Sequence, residues 1–199
     1  MRQSTSLILA FCLATSANIA KAENWAFSTA EDAHNMLMFK VSHQGFSNSM
    51  GFFTDFYGVI SLDENNLENS SVWAEINTNS VDMAQHEVWS NNTRNQFFDP
   101  ENYSTMRFES TSVTDMGDGS MEIEGDLSIV GITKSITLDA KFNRIGQYMD
   151  VGPKAGFSAT ASLNRTDWGI DAILHLIPEQ VDIVIEIEAF PEGMAAADH

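Results

Sequence analysis

The sequence is poor in cysteine, in positive charge and in long apolar runs. Cys12 is the one cysteine among 199 residues. The chain therefore has no internal disulfide, and thiol chemistry would fall on that position alone. Ten basic residues face 28 acidic ones, a formal charge of −18. So acidic a surface is repelled by nucleic-acid phosphates and by anionic membranes, and nucleic acid is excluded as a partner. No Gly-rich phosphate cradle precedes a helix, and no elbow glycine pattern surrounds a serine. The one sizeable apolar run, Leu7 to Ala17, is too short to span a bilayer.

That run has the anatomy of a secretory leader. Arg2 gives a positive start, and Ala20-Lys21-Ala22 fits the small-x-small cleavage pattern, so a cut before Glu23 is expected. Cys12 leaves with residues 1–22. The loss of Arg2 and Lys21 takes the formal charge to about −20. What remains is one domain by length, expected over 23–190, followed by a small polar tail at 191–199 expected to fray.

What is present in abundance is period-two alternation. Leu37, Phe39, Val41 and His43 share one face, and Met36, Met38, Lys40 and Ser42 share the other. Phe52, Phe56, Ile60 and Leu62 alternate, as do Val72, Ala74 and Ile76, then Met106 and Phe108. Met121 to Ile129, Ile136 to Phe142, Phe157 to Leu163 and Val181 to Ile187 continue the series. Such segments, parted by turn residues, predict antiparallel strands with one wet and one dry face. So many strands with few helices to cover them favour closure. The fold class expected is all-β: an antiparallel barrel of about eight strands. One short helix is expected between Asp82 and Asn91, with Asp82 as its N-cap. On the inner face large residues (Phe39, Phe52, Phe56, Phe108, Phe157) alternate with small ones (Ala74, Ala140, Ala159, Ala161). That pattern suits a cavity and a filled core equally.

Reactive constellations are scarce. His34 and His43 are nine residues apart, which on one strand puts them on opposite faces. His86, His175 and His199 stand alone, so no metal site is expected. Acidic pairs such as Asp63-Glu64, or Glu122 with Glu124, fall in turns or on wet faces. Arg165 has two readings. It either anchors a ligand's polar head or braces the turn that holds Asp167, and the bracing role is favoured.

Ordered motifs then give a resemblance. They are Phe39-Lys40-Val41-Ser42-His43 with Gly45, then Gly51-Phe52-Phe53 and Gly58. Ile76-Asn77-Thr78-Asn79-Ser80-Val81-Asp82 follows, then Phe97-Phe98-Asp99 with Tyr103. Next come Gly125-Asp126-Leu127-Ser128-Ile129 with Gly131-Ile132-Thr133-Lys134, Asn164-Arg165-Thr166-Asp167-Trp168-Gly169-Ile170, and Val181-Asp182-Ile183 with Ile185 and Glu188. From about Trp25 to Ala189 the chain resembles the YceI-like family, periplasmic polyisoprenoid-binding proteins with a lipocalin-like barrel. The resemblance implies an extended antiparallel barrel around an apolar pore, with no catalytic machinery and no required cofactor. It implies a ligand such as a polyprenyl chain, an isoprenoid quinone of the ubiquinone type or a fatty-acid amide, and often a homodimer.

On that basis the pore wall is expected to hold Phe39, Val41, Phe52, Phe56, Ile76, Phe97, Phe108, Phe157, Ala159, Ala161, Trp168 and Ile183. Head-group contacts are expected from His43, Asn164 and Arg165. One segment departs from the family pattern: Val88-Trp89 stands for an Arg-Asp pair, and Asn91 for a histidine. A different reading of the same chain is a stress-related barrel with a filled core, acting through a protein partner such as a membrane redox protein.

Overall fold

The computed structural model describes residues 22–84 and 86–194. The expected leader, apart from Ala22, and the end of the tail lie outside the described residues. The strands are β1 (Glu23–Ser28), β2 (Met36–His43), β3 (Ser47–Phe53), β4 (Phe56–Leu62), β5 (Ser71–Asn77) and β6 (Val81–Asp82). They continue with β7 (Thr105–Gly117), β8 (Ser120–Ile129), β9 (Ile132–Tyr148), β10 (Gly152–Asn164) and β11 (Gln180–Pro191). Among the described residues one α-helix, α1, spans Glu87–Thr93, and a π turn follows at Arg94–Phe98.

The ring β1-β4-β5-β7-β8-β9-β10-β11 closes when β11 returns to β1, through Trp25 opposite Pro191 and Ala26 opposite Phe190. The result is an eight-stranded antiparallel barrel. Three of its staves are broken. Residues 29–35 interrupt β1/β2, Thr54-Asp55 interrupt β3/β4, and a 3-10 turn at Thr78–Ser80 interrupts β5/β6. Beyond the breaks β2 pairs with β11 and β3, and β3 with β6.

Alternation decides which face is wet. In β8, Met121, Ile123, Gly125, Leu127 and Ile129 are buried while Glu122, Glu124 and Asp126 are exposed. Bulges reset this rhythm. The β7–β8 register shifts between Ser110 and Ser112, so the buried positions pass from Met106 and Phe108 to Val113.

The structure corrects two expectations, the start of the helix and the facing of Phe52. The helix begins later than Asp82, which lies in β6 opposite Phe52. Its N-cap is His86, whose ring accepts from the Trp89 N–H at 3.4 Å. Pro191 ends β11 opposite Trp25, and the Glu192 N–H donates to the Asn24 carbonyl; Glu192 to Met194 are exposed, and the rest of the expected tail lies outside the described residues. Phe52 faces away from the core, because its neighbour Phe53 is the buried one, opposite Leu37. The alternation from Phe52 to Leu62 does not run through Thr54-Asp55, where the stave breaks.

Candidate functional site: an apolar cavity inside the barrel

Inward side chains enclose a cavity of about 560 Å³, a size within the range of about 300–1,000 Å³ typical of small-molecule sites. It does not occupy the whole interior. Trp25, Leu67, Ala155 and Ala189 belong to the buried core but not to the cavity wall. They pack where β1 meets β11 and where β4 turns into β5. The interior is thus packed solid along the β1–β11 seam and hollow elsewhere, so each alternative left open by the alanine pattern holds over part of the barrel.

Most of the expected wall residues meet here. Phe39 and Val41 come from β2, Phe56 from β4, Ile76 from β5 and Phe108 from β7. Phe157, Ala159 and Ala161 come from β10, Ile183 from β11, and Phe97 from the π turn. Trp168 closes the wall near the β8–β9 turn. It is 2% exposed, and its indole N–H donates to the Leu127 carbonyl at 3.0 Å. Phe52 is absent from the wall, and Phe53 stands in its place. The Phe53 ring packs edge-on against Phe98 at 5.4 Å and tilted against Phe39 at 5.9 Å.

Three glycines shape the bore. A side chain on Gly51 would strike the ring of Phe39, one on Gly58 that of Phe27, and one on Gly125 that of Phe108. In the first two pairs the ring and the glycine sit directly opposite on paired strands. The rings therefore lie against bare backbone, which keeps them close to the wall.

Most of the polar wall residues gather toward the end covered by α1 and by the loop 170–178, while Ser70 and Ser71 line the cavity where β4 turns into β5 and Ser158 lines it from β10. His43 and Ser49 come from the β2–β3 hairpin, Asn92 and Thr93 from α1, and Gln96 from the π turn. The loop contributes Ile173, Leu176 and Ile177. It is tied to the hairpin by the Gln44 N–H, which donates to the Leu176 carbonyl at 3.2 Å. Sequence reasoning misses the loop, although its apolar density between Gly169 and Pro178 without alternation is a usable signal. Asn164 lies outside the cavity, exposed and paired with Gln180 at the strand end.

Arg165 is buried at 7% exposure. Its Nε donates to the Pro178 carbonyl, Nη1 to Ile170, and Nη2 to Ala172 and Ile177, at 2.7–3.0 Å. The guanidinium also lies 5.2 Å from the centre of the Phe97 ring. Burial lowers its pKa and Asp171 opposes that shift; the group keeps its charge at any ordinary pH. All of its donor groups engage the loop, so Arg165 braces the roof of the cavity. It does not pair with Asp167.

A second polar cluster lies outside the cavity. Lys154, on β10, reaches Asp32 Oδ2 and Glu188 Oε2, each at 2.6 Å. The rings of Tyr148 and Phe190 stand 3.7 and 4.8 Å from its ammonium. His34 Nδ1 lies 2.8 Å from Asp32 Oδ1. Asp32, His34 and Glu188 bring three potential metal-ligating atoms within 4.8 Å of one another. The Lys154 ammonium already supplies the charge a cation would bring. Burial alone would raise the Asp32 pKa; the hydrogen bond from Lys154, with those from the His34 backbone and ring, outweighs it and holds the carboxyl low. For Lys154 burial would lower the pKa, and the bonds to Asp32 and Glu188 raise it instead.

A closed eight-stranded antiparallel barrel around an apolar cavity defines a barrel of the lipocalin-like kind. The YceI-like domain profile matches residues 28–189, and the chain belongs to that family. A UPF0312 protein of Vibrio cholerae is 38% identical over 154 residues, which is 77% of this chain and 81% of that protein. Among solved structures, Burkholderia cenocepacia BcnA superposes with a TM-score of 0.71 at 17% identity, over 79% of this chain and 98% of BcnA. A polyisoprenoid-binding domain from Saccharophagus degradans superposes with a TM-score of 0.63 at 15% identity, over 85% and 99%. At those identities the two structures speak for the fold.

Proposed function

We propose that this protein is a non-enzymatic carrier, exported to the periplasm, that holds one long-chain isoprenoid lipid in its barrel. The observation that carries the reading is the cavity of about 560 Å³, walled mainly by phenylalanine, isoleucine, leucine and alanine, with most of its few polar groups toward one end. Family membership and the polyisoprenoid-binding domain of like fold support it. Burial of an apolar chain gains roughly 0.8 kcal/mol per methylene. About ten buried methylenes thus offset much of the cost of association, about 4–15 kcal/mol. The interior offers contact area rather than reactive groups, which suits binding. Organic extraction and mass spectrometry of native protein should recover lipid at about one per chain. Protein that yields none, and takes up none from detergent, would overturn the reading.

Two expected results refine it. Replacing Ala161, buried on the β10 face of the cavity, with Phe should fill the bore. The retained lipid should fall about ten-fold while circular dichroism stays native; unchanged capacity would place the ligand elsewhere. The second concerns the ligand's head. His43, Ser49, Asn92, Thr93 and Gln96 offer hydrogen bonds without fixed charge, and the Arg165 fork is engaged by carbonyls. The chain itself carries −18. A neutral isoprenoid such as ubiquinone should therefore bind at least as tightly as a polyprenyl pyrophosphate of equal length. Side-by-side titrations at two salt concentrations decide it. Tighter pyrophosphate binding that weakens as salt rises would expose a local basic site and sink the argument.

A further inference from the structure

Large apolar side chains stand in solvent around the polar end of the cavity. Phe46, at the β2–β3 turn, is 87% exposed; Val88 and Trp89, on α1, are 63% and 54% exposed; Leu174, in the 170–178 loop, is 42% exposed. They are not scattered. Trp89 and Leu176 are exposed and also line the cavity, so they mark its rim. The Gln44–Leu176 hydrogen bond joins the turn that carries Phe46 to the loop that carries Leu174. Three separate segments thus present apolar groups around one opening. A cluster of this kind marks an interaction surface, where single exposed apolar residues mean nothing.

We propose that this rim is a docking face for the surface of a neutral or zwitterionic bilayer, from which the lipid enters the cavity end-on. The inference rests on the carrier reading given above. The face is continuous with the cavity lining, so a lipid passing from membrane to barrel stays in apolar surroundings throughout. Charge selects the kind of membrane. Glu87, Asp167, Asp171 and Glu179 are exposed on the segments that form or flank the rim, and Arg94 is engaged by Glu87 at 3.7 Å. With a formal charge of −18 overall, the protein is repelled by an anionic surface and meets no such barrier at a zwitterionic one. Tryptophan and phenylalanine are suited to the interfacial layer, where an amphipathic ring is at home.

The test uses the full chain and phosphatidylcholine vesicles that contain no isoprenoid, so that docking and cargo binding are read separately. The protein should co-sediment with the vesicles, and brominated phosphatidylcholine should quench its tryptophan emission. Phosphatidylglycerol added to the vesicles should weaken docking, and salt should restore it, the reverse of the behaviour of a basic peripheral protein. The triple variant Phe46→Gln, Val88→Gln, Leu174→Gln should dock about ten-fold more weakly. None of the three lines the cavity, so uptake of lipid from detergent should be unchanged. Failure to dock on phosphatidylcholine, or a triple variant that docks as well as the original, overturns the proposal. So does a sedimentation analysis in which the triple change dissolves a dimer and vesicle binding was never present, since the rim would then face a second copy. Docking with no cargo uptake would instead overturn the carrier reading and leave the docking face standing.

Discussion

Arg165→Met should destabilise the protein by about 3–5 kcal/mol and unseat the 170–178 loop. Hydrogen bonds to a charged donor contribute about 1.5–3 kcal/mol each. Arg165 makes four to carbonyls, one of them fully buried. The sum is smaller than four such contributions, because a released loop carries its carbonyls into water. Urea denaturation gives the magnitude. Hydrogen exchange gives the location: the amides of Ile170 and Ile177, bonded to the carbonyls of Arg165 and Ile173, should lose protection while β8 keeps it. Arg165→Lys should restore little, because an ammonium keeps the charge without the planar fork. If the Lys variant is as stable as the original, charge rather than the fork holds the roof. If Arg165→Met costs under about 1 kcal/mol, the brace is dispensable.

Lys154→Met should cost a similar amount, about 3–5 kcal/mol, because it strands a carboxylate in a largely dry site. The Lys154 and Asp32 side chains are 9% and 8% exposed, whereas Glu188 at 38% is better screened and contributes less. Asp32→Asn combined with Lys154→Met should recover part of the loss, since the stranded charge is gone. The pH dependence has a definite sign. The Asp32 pKa is depressed in the folded protein, so its contribution is present above the unfolded carboxylate value near pH 4 and fades as pH falls through the lower folded value. The Lys154 pKa is raised, so its contribution is complete below about pH 10 and is lost as pH climbs through the folded value. Denaturation midpoints should be flat between about pH 5 and pH 9 on account of this pair, and Lys154→Met should blunt the decline at both extremes. A variant with wild-type stability across that range would show that the cluster only decorates the surface.

Much of this architecture is legible in the residues. Each of the eight alternating segments falls on a different stave of the barrel, and β8 reads almost without error, because one dry face imposes period two on its side chains. What fails is continuity. A two-residue break at Thr54-Asp55 shifts the frame, so an unbroken alternation puts Phe52 inside and passes over Phe53. The bulges do the same: the register shift near Thr111 turns Val113 inward, and the shift between Gly156 and Phe157 breaks the rhythm of β9 after Phe142. Short-range patterns do not encode where a strand slips by one residue. The ion cluster is equally hidden, because Asp32 and Lys154 are 122 positions apart in sequence. Arg165 is the instructive case: its place in a turn suggests a brace, but its partners are backbone carbonyls, which carry no sequence signature.

The glycines beneath the phenylalanine rings place part of the control of ligand girth outside the contact surface. One carbon added to Gly125 would collide with the Phe108 ring and displace it, reshaping the lumen although Gly125 is not itself part of the cavity wall. Wall thickness and guest diameter draw on the same few ångströms. Relatives that accommodate slimmer or bulkier chains can therefore differ at a residue that a map of contacts would pass over, and calibre becomes a property of the backbone behind the ring as much as of the ring.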